Sequence, residues 1–398
     1  MPALVVGGTS TINTDQLADD DAAIRFGANN IQVTIGAGVS VISTVSNGIS
    51  SNQTGSTLIN NGNIFGDING VGFVGGNAVI TNNAGRTIVG GQDGVLVLGD
   101  GTTVTNHGTI IGHRDDGIRF FSDNFVLNND GVIYGQDNGV RADLGGGVMN
   151  NSGLIHSDHF GVFVNTNPGV TTTITNFAGG TIKGSDAAIF TSASFGGRIS
   201  LDNRGTISGD IDLNAATGNV DDVIVNKGKI TGDVFLGLGI DTFNGAGGST
   251  AVKVFGEAGN DTLIGGKSGD TLDGGAGDDT LRGGLGRDRL TGGADRDFFD
   301  FNSIKEAGNG AARDQILDFS AAVDDRIDLS TIDAKTGVSG NNAFKFIGKQ
   351  GFHDQKGELR YIDKGATVIV QGDVNGDGKA DFEIFVNVGS LAKGDFIL

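Results

Sequence analysis

The sequence predicts an all-β protein: a right-handed parallel β-helix that continues into a tighter β-roll and ends in a β-rich cap. Three observations lead to this prediction. Glycine accounts for 72 of the 398 residues, without the Gly-X-Y period or the proline content of collagen. A repeat of about 22 residues fills the first half of the chain. A repeat of nine residues follows it.

The 22-residue repeat is marked by an asparagine followed by glycine and isoleucine. Its copies occupy residues 61–64, 106–110, 129–133, 151–155, 203–207 and 226–230, with looser ones at 83–88 and 176–182. Short apolar runs separated by Gly, Asn and Asp are typical of strands broken by turns. We predict that residues 30–235 form a parallel β-helix, with residues 1–29 capping its open end. Stacked isoleucines would fill its interior (Ile110, Ile133, Ile155, Ile207 and Ile230) and stacked asparagines a corner.

The charge of the chain limits its partners. With 27 basic and 47 acidic residues the net charge is -20, which opposes binding to nucleic acid and to anionic membrane surfaces. Only four of the acids are Glu, so the other 43 are Asp. Short aspartates in glycine-rich turns favour a hard, oxygen-seeking cation such as Ca²⁺. The chain has no cysteine, so it has neither disulfides nor thiolate ligands.

The nine-residue repeat begins at Gly256 and has five units, 256–264, 265–273, 274–282, 283–291 and 292–300. Each unit has an aspartate at its sixth position and an apolar residue two positions later. Two units make one coil of 18 residues, so the aspartates should alternate between two sides of a roll. We expect Asp261, Asp279 and Asp297 on one side and Asp270 and Asp288 on the other. A Ca²⁺ ion between stacked turns could then collect carboxylate and carbonyl oxygens.

These units resemble the RTX family of calcium-binding nonapeptide repeats. The resemblance implies a calcium β-roll over residues 236–300 with several bound ions. Besides the five aspartates, the implied metal-site positions are the turn glycines Gly256, Gly259, Gly265, Gly266, Gly274, Gly275, Gly277, Gly283, Gly284, Gly286, Gly292 and Gly293. Glu257 and Ser268 stand where the pattern has glycine, and Asp295 stands at the fourth position of the last unit. Asp241 lies 20 residues before Asp261, a spacing expected to break the register.

The last hundred residues resemble the C-terminal domain of serralysin-type secreted metallopeptidases. The likeness rests on the order of short segments at 297–301, 314–319, 324–330, 357–361, 372–382 and 395–398. It implies that residues 301–398 cap the roll and that the final Asp395–Leu398 is read by a type I secretion machine. The N-terminus lacks a secretory signal pattern and no stretch is long and apolar enough to span a membrane. We therefore expect a secreted protein that is exported through its C-terminus.

The peptidase itself is not expected. A zinc peptidase of that kind needs His-Glu-x-x-His on a helix. No glutamate lies between any two of the five histidines, and His156 and His159 are three residues apart in a predicted strand and turn.

A second candidate calcium loop lies at residues 373–381. Its Asp373, Asn375, Asp377 and Asp381 occupy ligand positions of a calcium loop, but Ile384 stands where a bidentate glutamate belongs. A polar hairpin tip explains the same residues, and the sequence leaves both interpretations open.

Three functions fit these features. The first, which we adopt, is a structural or adhesive protein of the cell surface or extracellular matrix, self-associating or binding polysaccharide, with no catalytic residues. The second is a polysaccharide lyase or epimerase acting on acidic polysaccharide. The third is a carrier or inhibitor of another exported protein. Candidate residues for the enzyme are Asp115, Asp116, Asp137, Asp158, His159, Arg119 and Arg141. The simpler explanation is that each Asp caps its own turn and each Arg relieves the charge of the ladder. The chain has no Trp, and Tyr134 is the lone Tyr of the predicted helix, which argues against an aromatic platform for sugars.

Overall fold

The computed structural model describes residues 1–192, 197–214, 220–248 and 251–398. The chain divides into two compact units. The first unit comprises Met1–Val220 and Gly228–Gly232, and the second comprises Asp221–Lys227 and Asp233–Leu398. The fold class predicted from the sequence is confirmed: the protein is all-β and built as a parallel solenoid.

The first unit begins with strands β1 (Leu4–Val6), β2 (Ser10–Ile12), β3 (Gln16–Ala18), β4 (Ile24–Phe26), β5 (Gln32–Ile35), β6 (Ser40–Ser43), β7 (Ile49–Ser51), β8 (Thr57–Asn60), β9 (Asn63–Gly66), β10 (Val71–Phe73), β11 (Val79–Asn82), β12 (Thr87–Gly90), β13 (Val95–Val97) and β14 (Thr103–Asn106). It continues with β15 (Thr109–Gly112), β16 (Ile118–Phe120), β17 (Phe125–Asn129), β18 (Val132–Gly135), β19 (Asn138–Leu144), β20 (Gly147–Asn151), β21 (Leu154–Ser157), β22 (Phe160–Thr166), β23 (Thr171–Asn176), β24 (Thr181–Lys183), β25 (Ala187–Thr191), β26 (Arg198–Asn203), β27 (Thr206–Ser208) and β28 (Ile211–Asp212).

Strand β29 (Val223–Asn226) belongs to the second unit and β30 (Lys229–Ile230) to the first. The remaining strands of the second unit are β31 (Val234–Phe235), β32 (Thr242–Asn244), β33 (Lys253–Ala258), β34 (Thr262–Ile264), β35 (Thr271–Ala276), β36 (Thr280–Arg282), β37 (Arg289–Ala294), β38 (Phe298–Asp300), β39 (Asp314–Ile316), β40 (Arg326–Asp328), β41 (Lys345–Gly348), β42 (Glu358–Asp363), β43 (Val368–Asp373), β44 (Phe382–Val386) and β45 (Phe396–Ile397). Among the described residues the helical segments are α1 (Ile304–Ala307) and two 3₁₀ helices (Gly310–Ala312 and Lys393–Asp395).

Each coil of the first unit supplies one strand to each of three parallel sheets. Strand β13 pairs with β16, β14 with β17, and β15 with β18, all in parallel. Side chains alternate between buried and partly exposed positions along most of these strands, as in β14 and β15. The predicted isoleucine column is confirmed, because Ile110 pairs with Ile133 and Ile133 with Ile155, and each is at most 1% exposed.

The predicted asparagine ladder is also confirmed. The Nδ2 atom of Asn106 donates to Oδ1 of Asn129 at 2.8 Å, and Asn129 repeats the bond to Asn151. The same bond links the other buried members of the column, Asn60, Asn82, Asn151, Asn176 and Asn203. Where two asparagines follow each other, as at Asn60-Asn61 and Asn82-Asn83, the first of the two points inward and joins the ladder. Asn61 and Asn83 bond to each other outside it.

Residues 1–29, for which the sequence predicted a terminal cap, adopt the same three-sheet coil. Strand β1 pairs with β4, β2 with β5 and β3 with β6, all in parallel. The inward residues of this segment are apolar in the same alternation, with Ile12, Ala18, Ile24 and Phe26 buried. This segment is therefore itself a coil of the solenoid.

The second unit has shorter coils, with one strand from each nonapeptide. Strands β34, β36 and β38 stack in parallel, and β33, β35 and β37 form the matching stack. Leu263, Leu281 and Phe299 fill one half of the interior. The expectation that the 20-residue spacing at Asp241 breaks register is wrong, because β32 pairs directly with β34 and places Phe243 on Leu263. The two additional residues are therefore accommodated outside this strand pair.

The C-terminal segment extends both stacks of the roll. Strand β39 pairs with β37, and β40 pairs with β38. Strands β42, β43 and β44 form an antiparallel sheet whose last member lies parallel to β39. The terminal strand β45 pairs with β40 through Ile327 and Phe396. In the described residues, no helix combines the length and apolar character needed to cross a membrane.

Candidate metal centre

The nonapeptide aspartates form two columns, as the 18-residue coil predicts. In the first column the backbone N–H of Asp261 donates to Oδ1 of Asp279 at 2.7 Å, and that of Asp279 to Asp297 at 3.0 Å. In the second column Asp270 donates to Asp288 in the same way at 2.7 Å. Each carboxylate thus accepts from the equivalent residue one coil earlier, which fixes its orientation at the start of a strand.

Both columns extend beyond the nonapeptides. Asp241 donates its N–H to Asp261 at 2.8 Å, and Asp297 donates to Asp325 at 3.0 Å. In the other column Asp288 donates to Asp314 at 2.8 Å. Sequence reasoning missed Asp314 and Asp325 because they lie 26 and 28 residues from their neighbours rather than 18. The signal that would have found them is an aspartate two positions before a buried apolar residue.

The second carboxylate oxygen, Oδ2, is the atom of these columns that could bind a cation. Five of these aspartates have an Oδ2 atom without a hydrogen-bond partner among the described residues: Asp261, Asp279, Asp288, Asp297 and Asp314. All are at most 1% exposed. Burial raises the pKa of Asp261, Asp279, Asp288 and Asp297 to about 7. Asp314 has its pKa raised to about 8 by the same cause. A buried, unpartnered carboxylate oxygen is costly unless a proton or a cation satisfies it.

Asp270 differs from the other members of its column. Its Oδ2 accepts from the backbone N–H of Gly266 at 2.5 Å, while its Oδ1 accepts from Val252 at 2.8 Å. Burial still raises the pKa of Asp270.

The first glycine of each unit makes room for that oxygen. A Cβ atom on Gly274 would lie 2.2 Å from Oδ2 of Asp279, and one on Gly292 would lie 2.2 Å from Oδ2 of Asp297. Gly256, Gly265 and Gly283 face their own aspartates in the same way. The turn glycine Gly277 has a φ of 125°, a region that side chains rarely adopt. Buried carboxylate oxygens facing glycine turns fit a hard cation that takes only oxygen ligands.

The departures from the pattern carry strain. Glu257 has a φ of 76° and Asp295 a φ of 74°, so both hold the left-handed conformation that the replaced glycines would adopt without cost. The turn at Glu257 still closes, because the N–H of Ala258 donates to Gly237 and Glu257 pairs with Gly275 in the neighbouring strand.

The loop at 373–381 is the tip of the β43–β44 hairpin. Buried Asp373 accepts from the N–H groups of Gly376 at 2.6 Å and Gly378 at 2.9 Å. Asp381 accepts from Val374 at 2.7 Å and from Nδ2 of Asn375 at 2.8 Å. Asp377 accepts from the N–H of Lys379. The loop is thus closed by its own hydrogen bonds, and calcium binding at this loop stays a prediction.

The acidic and basic candidates of the first unit converge only in part. Nε of Arg119 and Nε of Arg141 both donate to the buried Asp143, at 3.1 and 2.9 Å. Nη1 of Arg119 lies 3.9 Å from Asp115. Asp115 and Asp116 lie beside a residue that sequence reasoning had not included, Asp93. Burial raises the pKa of Asp93 to about 6 and that of Asp116 to about 8.

The other candidates make separate pairs. Asp158 accepts from the Tyr134 hydroxyl at 3.1 Å, and Nδ1 of His159 lies 2.6 Å from Asp186. Asp137 accepts from Nδ2 of Asn138 at 3.1 Å. The first two pairs join neighbouring coils, whereas Asp137 and Asn138 are adjacent in the chain. Separate pairs of this kind agree with the turn-capping interpretation of the sequence.

An aromatic cluster on the same sheet was also missed. The rings of Phe160 and Phe190 stack with centroids 4.5 Å apart, and Phe163 lies 5.6 Å from Phe190. The guanidinium of Arg141 lies 4.9 Å from the centre of the Phe163 ring. All four side chains are half-buried. The sequence alone does not reveal this cluster, because Phe163 and Phe190 are far apart in the chain and only strand pairing brings them together.

A known family of repeats matches the region that contains the aspartate columns. The family model of the RTX calcium-binding nonapeptide repeat (4 copies) matches residues 235–272, 253–281 and 264–299. A solved structure, the solution structure of the AlgE6R3 subunit from the Azotobacter vinelandii mannuronan C5-epimerase, is 21% identical, covers 46% of this chain and 82% of its own, and has a TM-score of 0.21. None of the curated proteins compared with the chain matches it. Residues 235–299 therefore contain calcium-binding RTX nonapeptide repeats.

Proposed function

We propose that this protein is an exported, calcium-stabilised β-solenoid with a structural or adhesive role at the cell surface or in extracellular matrix. The observation that carries the proposal is the pair of aspartate columns, which lie in repeats of a calcium-binding family. Within the described residues, the buried Oδ2 atoms of Asp261, Asp279, Asp288 and Asp297 have no hydrogen-bond partner. Extracellular calcium modules have dissociation constants of about 10⁻⁴ to 10⁻³ M. Such sites stay empty at low cytosolic calcium and fill outside the cell.

Export through the C-terminus fits this calcium dependence. Phe396 is buried and Phe396–Ile397 pairs with β40, so the folded second unit covers part of the final segment. A secretion machine that reads Asp395–Leu398 therefore needs this unit unfolded, which low calcium provides. Deleting these four residues should retain the protein inside its producing cell, and normal secretion of the truncated chain would contradict the export proposal.

The adhesive role is assigned to the aromatic cluster of Phe160, Phe163 and Phe190 together with Arg141. Half-buried rings beside a guanidinium offer stacking and charge to a polysaccharide carrying acidic groups. Purified protein should co-sediment with such a polysaccharide, and Phe163→Ser should weaken binding at least tenfold. The control Phe177→Ser, at an exposed ring in the first unit, should have no effect. Equal loss in both variants would contradict the assignment.

We also propose that copies self-associate in calcium. Sedimentation at increasing protein concentration in millimolar Ca²⁺ should show assemblies that chelator dissolves. A single monomer boundary throughout would remove this part of the proposal.

The alternative function is a polysaccharide lyase or epimerase. The observation that favours it is the approach of Arg119 to Asp115 beside Asp116. Against it, both guanidinium groups are held by Asp143. Incubation with alginate- or pectin-like polymers should release no unsaturated sugars and change no sugar configuration by NMR. Turnover abolished by Asp137→Ala or Arg141→Ala would establish the enzyme instead.

A further inference from the structure

We propose a second kind of metal site, in the first unit and outside the RTX repeats, in which Asp93, Asp115 and Asp116, with Asn138 beside them, bind one Ca²⁺ ion. Asp93 lies in the turn between β12 and β13, and Asp115 and Asp116 lie in the equivalent turn between β15 and β16. Asn138 begins β19. The site thus brings together three successive coils, and it does not depend on the proposed function.

The distances between the acidic groups suit a single cation. One carboxylate oxygen from each of Asp93, Asp115 and Asp116 lies within 4.8 Å of the other two. Two oxygens bound to one Ca²⁺ at 2.3–2.6 Å can be at most about 5 Å apart. The separations among the three carboxylates are therefore of the size found between oxygens that bind one Ca²⁺ ion.

Two buried oxygens at this place have no partner. Oδ2 of Asp116 and Oδ1 of Asn138 make no hydrogen bond to any described residue. Asp116 is 0% and Asn138 1% exposed, so bulk water does not solvate them. The two side chains touch, because Nδ2 of Asn138 donates to Oδ1 of Asp116 at 2.6 Å. Unsatisfied oxygens in a buried position are the groups that a cation with oxygen ligands would satisfy.

The nearby arginines do not satisfy these buried oxygens. Arg119 and Arg141 both direct Nε to Asp143, and the nearest charged contact of Arg119 to the cluster is 3.9 Å, to Asp115. Oδ1 of Asp93 accepts from the backbone N–H of Asp116 at 3.2 Å, which leaves its other oxygen for an ion. The buried carboxylates thus keep negative charge that the arginines only partly balance.

Other aspartates of the same unit show what a structural carboxylate looks like. Asp143 is equally buried, but it accepts hydrogen bonds from Arg119, Arg141 and Asn165. Asp143 is therefore satisfied by protein groups. Asp116, by contrast, has one oxygen, Oδ2, that no described protein group satisfies. This difference distinguishes a candidate metal ligand from a carboxylate in a buried ion pair.

The direct test is diffraction from crystals of the full chain grown with Ca²⁺ or with Tb³⁺, a hard cation with oxygen ligands. We expect an anomalous Tb³⁺ peak 2.3–2.6 Å from oxygens of Asp93, Asp115 and Asp116. Peaks along the roll with none at this position would overturn the inference. A peak here with an empty roll would support this site and contradict the proposed function, so the two can fail separately.

A solution test counts bound ions by equilibrium dialysis of the full chain against Ca²⁺. Asp116→Asn should lose one Ca²⁺ per chain, while the control Asp67→Asn, at an exposed turn of the same unit, should lose none. If circular dichroism shows that Asp116→Asn does not fold, Asp115→Asn at the half-buried ligand replaces it and should weaken one site at least tenfold. An unchanged ion count and affinity in the folded variant would overturn the inference.

Discussion

The asparagine ladder of the first unit and the aspartate columns of the second solve the same problem with opposite chemistry. Both place one polar side chain per coil in a buried column. Asn106 donates through Nδ2 to Asn129 and accepts through Oδ1 from Asn82, so the amides satisfy one another. Asp279 accepts from the backbone of Asp261 through Oδ1, and its Oδ2 has no hydrogen-bond partner in the described parts of the chain.

The difference lies in what an amide and a carboxylate can do. An amide has both donors and acceptors, whereas an ionised carboxylate only accepts and repels its like neighbours. An asparagine column is therefore complete without an ion. An aspartate column needs a proton or a cation, which makes its stability depend on the medium. We therefore expect the first unit to be stable without an ion and the second unit to respond to calcium.

The largest expected effect is that the stability of the second unit depends on pH when calcium is absent. The folded pKa of Asp261, Asp279, Asp288 and Asp297 is about 7 against an ordinary value near 3.8. Between these values the folded state holds more protons than the unfolded state. The free energy of unfolding should therefore fall as pH rises from about 4 to about 7 and then level off.

Tyrosine fluorescence can follow each unit separately. The chain has two tyrosines and no tryptophan; Tyr134 lies in the first unit and buried Tyr361 in the second. In chelator, the melting temperature of Tyr134→Phe, which retains Tyr361, should fall with rising pH, and millimolar Ca²⁺ should remove the fall. As the control, Tyr361→Phe retains Tyr134, whose fluorescence follows the unfolding of the first unit. A melting temperature of Tyr134→Phe in chelator that rises with pH would contradict the account.

A carboxylate introduced into the amide ladder should be the next largest effect. Asn106→Asp removes the donor that serves Oδ1 of Asn129 and the carbonyl oxygens of Gly108 and Val132. Leaving buried acceptors unpaired costs about 1–3 kcal/mol, and more when charge is buried. Denaturant unfolding followed by Tyr134 should show this loss, with or without Ca²⁺. The control Asn61→Asp, at a half-buried position outside the ladder, keeps an oxygen for Nδ2 of Asn83 and should lose less than about 1 kcal/mol.

The reverse exchange should act on calcium more than on folding. Asp279→Asn keeps an oxygen for the N–H of Asp261 and replaces the unpartnered Oδ2 with an amide. We expect weaker calcium binding in the roll, measured by calorimetry, together with a second unit that is no less stable in chelator. Unchanged calcium affinity would indicate that the Asp279 carboxylate is not a ligand.

The smallest expected effect comes from the space beside the carboxylate. In Gly274→Ala the new Cβ would meet Oδ2 of Asp279 at 2.2 Å, so the carboxylate must shift and calcium affinity should fall about tenfold. Gly394→Ala, in the same unit, is the matched control, because an added Cβ there would meet no described atom within 4 Å apart from its chain neighbours. Equal affinities in the two variants would show that this glycine does not shape the site.

The parts of the molecule that follow a regular period could be predicted, and the parts that depend on irregular spacing could not. The isoleucine column, the asparagine ladder and the two sides of Asp261 and Asp270 follow from repeats of 22 and 18 residues. Asp314 and Asp325 continue the columns after insertions, and strand pairing rather than spacing identifies them. The resemblance of residues 301–398 to a serralysin-type domain stays a prediction.

The candidate sites of the first unit show the same limit. Asp115 and Asp116 could be singled out as acidic turn residues, but Asp93 lies a full coil earlier and only the stacking of the turns brings it close. Phe163 and Phe190 are paired by β22 and β25 across a longer coil. Their proximity depends on the number of residues in each coil, which the sequence does not state.

The most direct test of the central claim is hydrogen exchange of the full-length protein with and without calcium at pH 7.5. The backbone amides of Asp261, Asp270, Asp279 and Asp288 should be strongly protected in millimolar Ca²⁺ and should exchange rapidly in chelator. Those of the first-unit ladder, including Asn106 and Asn129, should stay protected in both. Equal protection of the aspartate columns in chelator and in Ca²⁺ would contradict the account.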